Sequence, residues 1–162
     1  MKYKNTVLIV HDLECSLSFY RKILGLHVIR STKTQITFKG GLCLQSYEIW
    51  KDLIHKEDQD ILFPSYNQEL SFEEEMIEPF IQKLNQYNVT LLHPLKEQGF
   101  GVRVVRFYDP DGHIIAVYES IRKVIKRCLS QGLTHEEISK RMGIPIEYIE
   151  DLINERMPIW HP

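Results

Sequence analysis

"RFYDPDGHIIAVYES", residues 106–120, holds two apolar runs on either side of Asp109-Pro110-Asp111-Gly112. Pro110 presets the second position of a turn, and Gly112 can take the positive φ that closes it, so the segment predicts a tight hairpin. Working backwards, "VTLLH" (89–93) and "VRVVRFY" (102–108) are strand-like. Before them, Ile77, Phe80, Ile81 and Leu84 fall on one helical face that Asn88 can end in the left-handed conformation. "ELSF" (69–72) supplies a short strand ahead of that helix. The same order occurs once more upstream. "NTVLIV" (5–10) leads to Asp12 as a helix N-cap, then to Leu13, Leu17, Tyr20 and Leu24 at helical spacing with Gly25 after them. "LHVIRST" (26–32), "TQITFKG" (34–40) and, past the Gly40-Gly41 turn, "LCLQSY" (42–47) follow as strands. The chain therefore reads as a repeat of about 60 residues, each copy β-α-β-β-β.

Two of these stretches resemble a known family. "VHDLECSLSFYRKILGL" (10–26) is similar to the first helix of the vicinal oxygen chelate superfamily, which includes glyoxalase I, extradiol dioxygenases, fosfomycin-modifying enzymes and bleomycin-resistance proteins. "FYDPDGHIIAVYE" (107–119) is similar to its D-P-D-G hairpin. The resemblance covers roughly residues 5–120 and implies an α+β fold in which two tandem β-α-β-β-β modules form a cupped mixed sheet. It also implies a homodimer and a small-molecule ligand.

Metal-dependent members of that superfamily place ligands on the first and last strands of each module. By register, those positions fall here on Asn5, Gln45, Glu69 and Ala116. Ala116 has no donor, Asn5 and Gln45 are neutral amides, and only Glu69 is a strong ligand, whereas a catalytic divalent ion needs about three good protein donors. No cofactor is therefore expected, with a divalent metal retained as the alternative. The seven histidines, His11, His27, His55, His93, His113, His135 and His161, fall at strand ends, turns or tails. Strand alternation turns Asn5, Gln45, Tyr47, Glu69 and Tyr118 to one face with Val7, Ile9 and Ile114, an apolar pocket with a few polar handles. Glu69 is the candidate catalytic residue, since a carboxylate among apolar walls can serve as a general base. The opposite expectation is that Gln45 and Tyr47 satisfy one another in a filled core. Residues 48–66 read as an irregular connection, in which Tyr47, Trp50, Phe63 and Tyr66 either rim a pocket or pin the connection down.

Composition narrows the function class. The 162 residues carry a formal net charge of -2, with 13 Lys/Arg against 16 Asp/Glu before Ser120 and 7 against 6 from there on. Neither part carries the charge excess of a polyanion binder. Cys15, Cys43 and Cys128 are odd in number and lack a C-x-x-C spacing, which predicts reduced thiols. No apolar run approaches a membrane span and the N-terminus has no secretory pattern, so a cytoplasmic location is expected.

From Ser120 the pattern becomes helical. A basic helix over residues 121–131 ends at Gly132, Thr134 and Glu137 fit a capping box, a short helix ends at Gly143, and Pro145 opens another. The segment resembles a helix-turn-helix, but Glu147, Glu150 and Asp151 stand where a recognition helix meets phosphates. Nucleic acid is not expected as a partner, and Ile138, Met142, Ile144, Ile149 and Leu152 are the expected core of a packing module.

The fold class is thus α+β, with a glyoxalase-like domain over residues 1–120 and a helical extension, containing a helical hairpin, over 121–162. Within the domain, modules at about 5–47 and 68–119 flank a connection at 48–67. The expected function is a glyoxalase-like small-molecule-binding protein with a degenerate metal site, acting as a binding or resistance protein or as a metal-independent enzyme. Two alternatives stand beside it. One is a metal-dependent lyase, isomerase or thiol transferase like glyoxalase I or the fosfomycin-resistance enzymes. The other is a ligand-sensing regulator that binds DNA through its C-terminal helices.

Overall fold

The repeat seen in the sequence is a repeat of strand order in the computed structural model, which describes residues 1–154. The first copy comprises β1 (Thr6–Val10), α1 (Leu13–Lys22), β2 (Val28–Ser31), β3 (Gln35–Phe38) and β4 (Leu42–Ser46). Its sheet runs β1-β4-β3-β2, with β1 parallel to β4 and β3 antiparallel to both neighbours. The second copy comprises β5 (Glu69–Glu74), α3 (Ile77–Gln86), β6 (Leu91–Glu97), β7 (Arg103–Tyr108) and β8 (Ile114–Glu119), in the equivalent order β5-β8-β7-β6. The α+β class and the tandem modules are thus as expected. His161 and the last eight positions of the extension lie outside the described residues.

By contacts the chain divides into two units, residues 1–69 with 108–114, and residues 70–107 with the chain from 115 onward. In the first unit, Asp12 caps α1 by accepting from the backbone N–H groups of Glu14 and Cys15. Strand alternation sorts β1: Leu8 and Val10 are buried while Val7 is exposed. Leu8 and Val10 share a core with Tyr20, Ile23, Ile36, Phe38 and Leu44. In the second unit, Ile77, Phe80 and Leu84 are the buried stripe of α3, and Val105, Phe107, Ile115 and Val117 are buried on the strands. The rings of Phe80 and Phe107 lie 6.0 Å apart.

Residues 48–67 are not irregular throughout. They contain most of α2 (Tyr47–Ile54) and a one-turn 3-10 helix, Asp58–Asp60. Tyr47 therefore opens a helix instead of closing β4. The helix escaped the sequence reading because it is only two turns long, follows directly on a strand whose last residue, Ser46, is its N-cap, and ends on His55 in the left-handed conformation, where a glycine is the usual mark.

The hairpin turn of the second copy belongs to the first unit. Gly112 has φ +84°, and a Cβ built on it would lie 2.8 Å from Pro64 Cβ. Gly112→Ala combines a left-handed penalty of about 1–2 kcal/mol with a clash against a rigid ring, and is expected to cost about 2–4 kcal/mol in urea unfolding. A variant within about 0.5 kcal/mol of wild type would refute this account of the turn.

The extension forms α4 (Ile121–Ser130), α5 (His135–Met142) and α6 (Ile146–Ile153). Thr134 and Glu137 make the expected capping box. Val124, Ile125, Cys128, Ile138 and Ile149 are its buried core, with Met142, Ile144 and Leu152 packed against them. Val102 of the second unit packs on the same cluster.

Candidate functional site

On the first sheet, in-register pairing aligns Ile9 with Gln45 and Gln35, and Val7 with Cys43 and Thr37, so these side chains share one face. Its polar groups are bonded to one another. Asn5 Nδ2 donates to Cys43 Sγ at 3.0 Å, and the Cys43 thiol donates to Thr37 Oγ1 at 3.3 Å. Gln45 Oε1 accepts from Gln35 Nε2 at 3.1 Å, and Gln45 Nε2 donates to the Thr34 carbonyl at 2.9 Å. Gln45 is buried and its amide is engaged at both ends, although not by Tyr47.

Tyr47 lies in a different cluster, centred on His11. Its hydroxyl donates to Asp58 at 2.7 Å, which raises the Tyr47 pKa, and its ring stacks on the His11 imidazole at 4.7 Å. Phe63 packs against both rings, 4.6 Å from His11 and 5.9 Å from Tyr47, and lies 5.9 Å from His113. Phe63 and Tyr47 thus pin the connection down, whereas Tyr66 is exposed.

The hairpin turn contributes two carboxylates to the same unit. Asp109, with a fully buried side chain, accepts four hydrogen bonds: from the backbone N–H groups of Asp111 and His113, from Tyr20 Oη at 2.8 Å and from His113 Nδ1 at 2.8 Å. Burial, then the charge of Asp109, pushes the Tyr20 phenol well above its ordinary pKa. Asp111 accepts from His11 N and Nδ1 at 3.0 and 2.7 Å and from the Ser16 hydroxyl at 3.2 Å. This hairpin latches onto the start of α1.

The second sheet carries its own polar group. Glu69, the first residue of β5, is exposed, and Ala116 is fully buried. Arg106 donates to Tyr118 Oη at 2.9 Å and to His93 Nε2 at 3.3 Å, with its guanidinium 5.8 Å from the Tyr118 ring. His93 Nδ1 meets the Pro94 carbonyl at 2.8 Å, which leaves Nε2 as the acceptor for Arg106. Pro94 is tolerated because β6 is an edge strand, and the β6–β7 register shifts on both sides of His93.

A family model described as a glyoxalase-like domain matches residues 3–122. The chain belongs to the glyoxalase-like family of the vicinal oxygen chelate superfamily. Among glyoxalase-like relatives, it is 32% identical over 105 residues to the metallothiol transferase FosB of Staphylococcus saprophyticus, covering 64% of this chain and 67% of that one. It is 29% identical over 113 residues to the glutathione transferase FosA of Serratia marcescens, covering 68% and 75%. A crystal structure of a protein of unknown function from Agrobacterium tumefaciens superposes with a TM-score of 0.67 at 33% identity, covering 75% of this chain and 95% of that one.

Within that glyoxalase-like family a divalent ion is the implied cofactor, and the residues here do not fit one. At the four positions, Asn5 and Gln45 are neutral amides already bonded to neighbours, Ala116 offers only a methyl group, and Glu69 is the single carboxylate. Among the described residues, no group of three or more His, Cys, Asp or Glu is arranged to hold a metal. The sequence reading named Tyr118 but not its partners Arg106 and His93. Arg106 was legible in principle, since it shares strand parity with the half-buried Tyr108 and opposes the parity of the buried Val105 and Phe107. His93 was legible in the same way, since it shares the parity of the half-buried Leu91 and Leu95 in β6.

Proposed function

We propose that this chain is a small-molecule-binding protein of the glyoxalase-like family that works without a catalytic metal, as a binding or resistance protein or as a metal-independent enzyme. The observation that carries this reading is the commitment of Asn5 and Gln45 to side-chain and backbone bonds, with alanine at the fourth ligand position. Glu69, exposed at the start of β5, is the group proposed for acid-base work; Asn5 and Gln45 are proposed polar contacts that exchange their present bonds for those of a ligand, with Tyr47 and Tyr118 as further, separate ones. A cytoplasmic homodimer completes the proposal. No helix among the described residues is long and apolar enough to cross a membrane. In the helical extension, Glu147 and Glu150 are exposed on α6, which supports packing over binding to a polyanion.

A second reading, a metal-dependent thiol transferase, draws support from the names of the FosB and FosA relatives. Metal content separates the two. Protein purified without chelator or affinity metal is expected to hold substoichiometric metal and to show no saturating thermal shift with nickel, zinc, manganese or ferrous iron. One equivalent of metal, with a stabilisation that Glu69→Ala abolishes, would replace the first reading by the second. Glutathione then serves as a probe in EDTA: at a hundredfold its Kd a ligand stabilises the fold by about 2.7 kcal/mol, a shift of about 5–10 °C for a chain this size.

A further inference from the structure

The helical extension lies outside the glyoxalase-like match, which ends at residue 122, yet two of its arginines close on one turn of the second unit. That turn, Gly99–Gly101, joins β6 to β7. Arg127 of α4 donates from Nη2 to the Gly101 carbonyl at 2.6 Å and to Glu119 Oε2 at 3.0 Å, and its Nη1 lies 3.8 Å from Glu97. Arg141 of α5 reaches the same Glu97 at 3.3 Å, and its guanidinium lies over Gly101: a Cβ built there would meet Nη2 at 3.0 Å. Gly101 also has φ +80°, a backbone conformation that favours glycine. Backbone hydrogen bonds at this turn run from Gln98 N to the Val102 carbonyl at 2.8 Å and from Gly101 N to the Gln98 carbonyl at 3.3 Å.

We infer that the C-terminal helices are an intramolecular clamp on the β6–β7 turn, and that Arg127 and Arg141 are positioning residues for the hairpin that carries His93 and Arg106. A turn with two glycines in three residues loses more backbone freedom on ordering than most. Two planar guanidinium groups, one bonding its carbonyl and one covering its Cα, supply that restraint from outside. A lone surface ion pair such as Arg141–Glu97 contributes little to global stability, so the part of Arg141 in the clamp is local order. This holds whatever ligand the protein binds, and its failure leaves the proposed function untouched.

The test is amide hydrogen exchange on the full chain together with the imidazole 15N shifts of His93. In Arg127→Gln/Arg141→Gln, the Gln98 and Gly101 amides are expected to exchange about tenfold faster, with β1–β4 unchanged, and the His93 ring shifts to move. Arg127→Lys keeps the charge but loses the fork, and should fall between that variant and wild type. If the double variant fails to fold, Arg141→Gln alone decides, because it removes only the half-exposed partner and the cover of Gly101. Unchanged exchange at Gln98 and Gly101, or unchanged His93 shifts, in a folded variant would overturn the clamp.

Discussion

Asp109→Ala is expected to destabilise the protein by about 4 kcal/mol, among the largest effects of any single substitution in the chain. The Asp109 side chain is fully buried and accepts from two backbone amides, a tyrosine hydroxyl and an imidazole. Its removal leaves all four donors without their acceptor, at about 1–3 kcal/mol for each one that water cannot reach. Asp109→Asn keeps an oxygen for the two turn amides and should lose about half as much, and Tyr20→Phe about 1 kcal/mol. Because the folded state holds the Tyr20 phenol protonated beyond its ordinary pKa, the Tyr20 contribution is complete below about pH 10 and is lost as pH rises above it. Guanidinium titrations at neutral and alkaline pH read both effects. An Asp109→Ala variant as stable as wild type would mean that the hairpin latch is incidental.

Glu119→Gln carries the second large effect, about 3 kcal/mol. Glu119, with a side chain 4% exposed, takes a bidentate pair from Arg103 at 2.9 and 2.8 Å and a third bond from Arg127 at 3.0 Å. Burial works against its ionisation, but the bonds from Arg103 and Arg127 outweigh it and hold its carboxyl below the ordinary range. Arg103 keeps Glu78 at 2.7 Å after the change, which limits the loss. A depressed folded pKa gives stability that is full above about pH 4.3 and is withdrawn as pH falls through the folded value. The variant should accordingly lose less stability than wild type between about pH 5 and pH 3. Parallel pH curves for the two proteins would show that the arginines do not hold Glu119 ionised.

The tandem modules were legible because their signals are local: Asp12 as a cap, Gly112 and Asn88 at positive φ, and alternation in β1. The helical extension announced itself through Thr134, Glu137 and Gly143 in the same way. The candidate site was less so. Strand alternation placed Asn5 and Gln45 on one face, but not the bonds that occupy their amides, because Cys43, Gln35 and Thr34 were not read as their partners. The hairpin was read as a turn from Pro110 and Gly112, and its two aspartates hold that turn to the rest of the first unit. Their other partners, His11, Ser16 and Tyr20, lie about ninety to a hundred residues away in sequence, beyond any local pattern.

That separation sets an order of events during synthesis. The bonds from Tyr20 to Asp109 and from His11 to Asp111 span 89 and 100 residues. A nascent chain that has released only the first copy still lacks the acceptors for its own helix. Each copy has the strands and helix of a complete repeat, but the first cannot be finished until the last turn of the second has left the ribosome. Pairing across such distances is slow, since loop closure must precede any contact that rewards it. The repeat is therefore two units in pattern and one in folding, sealed late and from the far end.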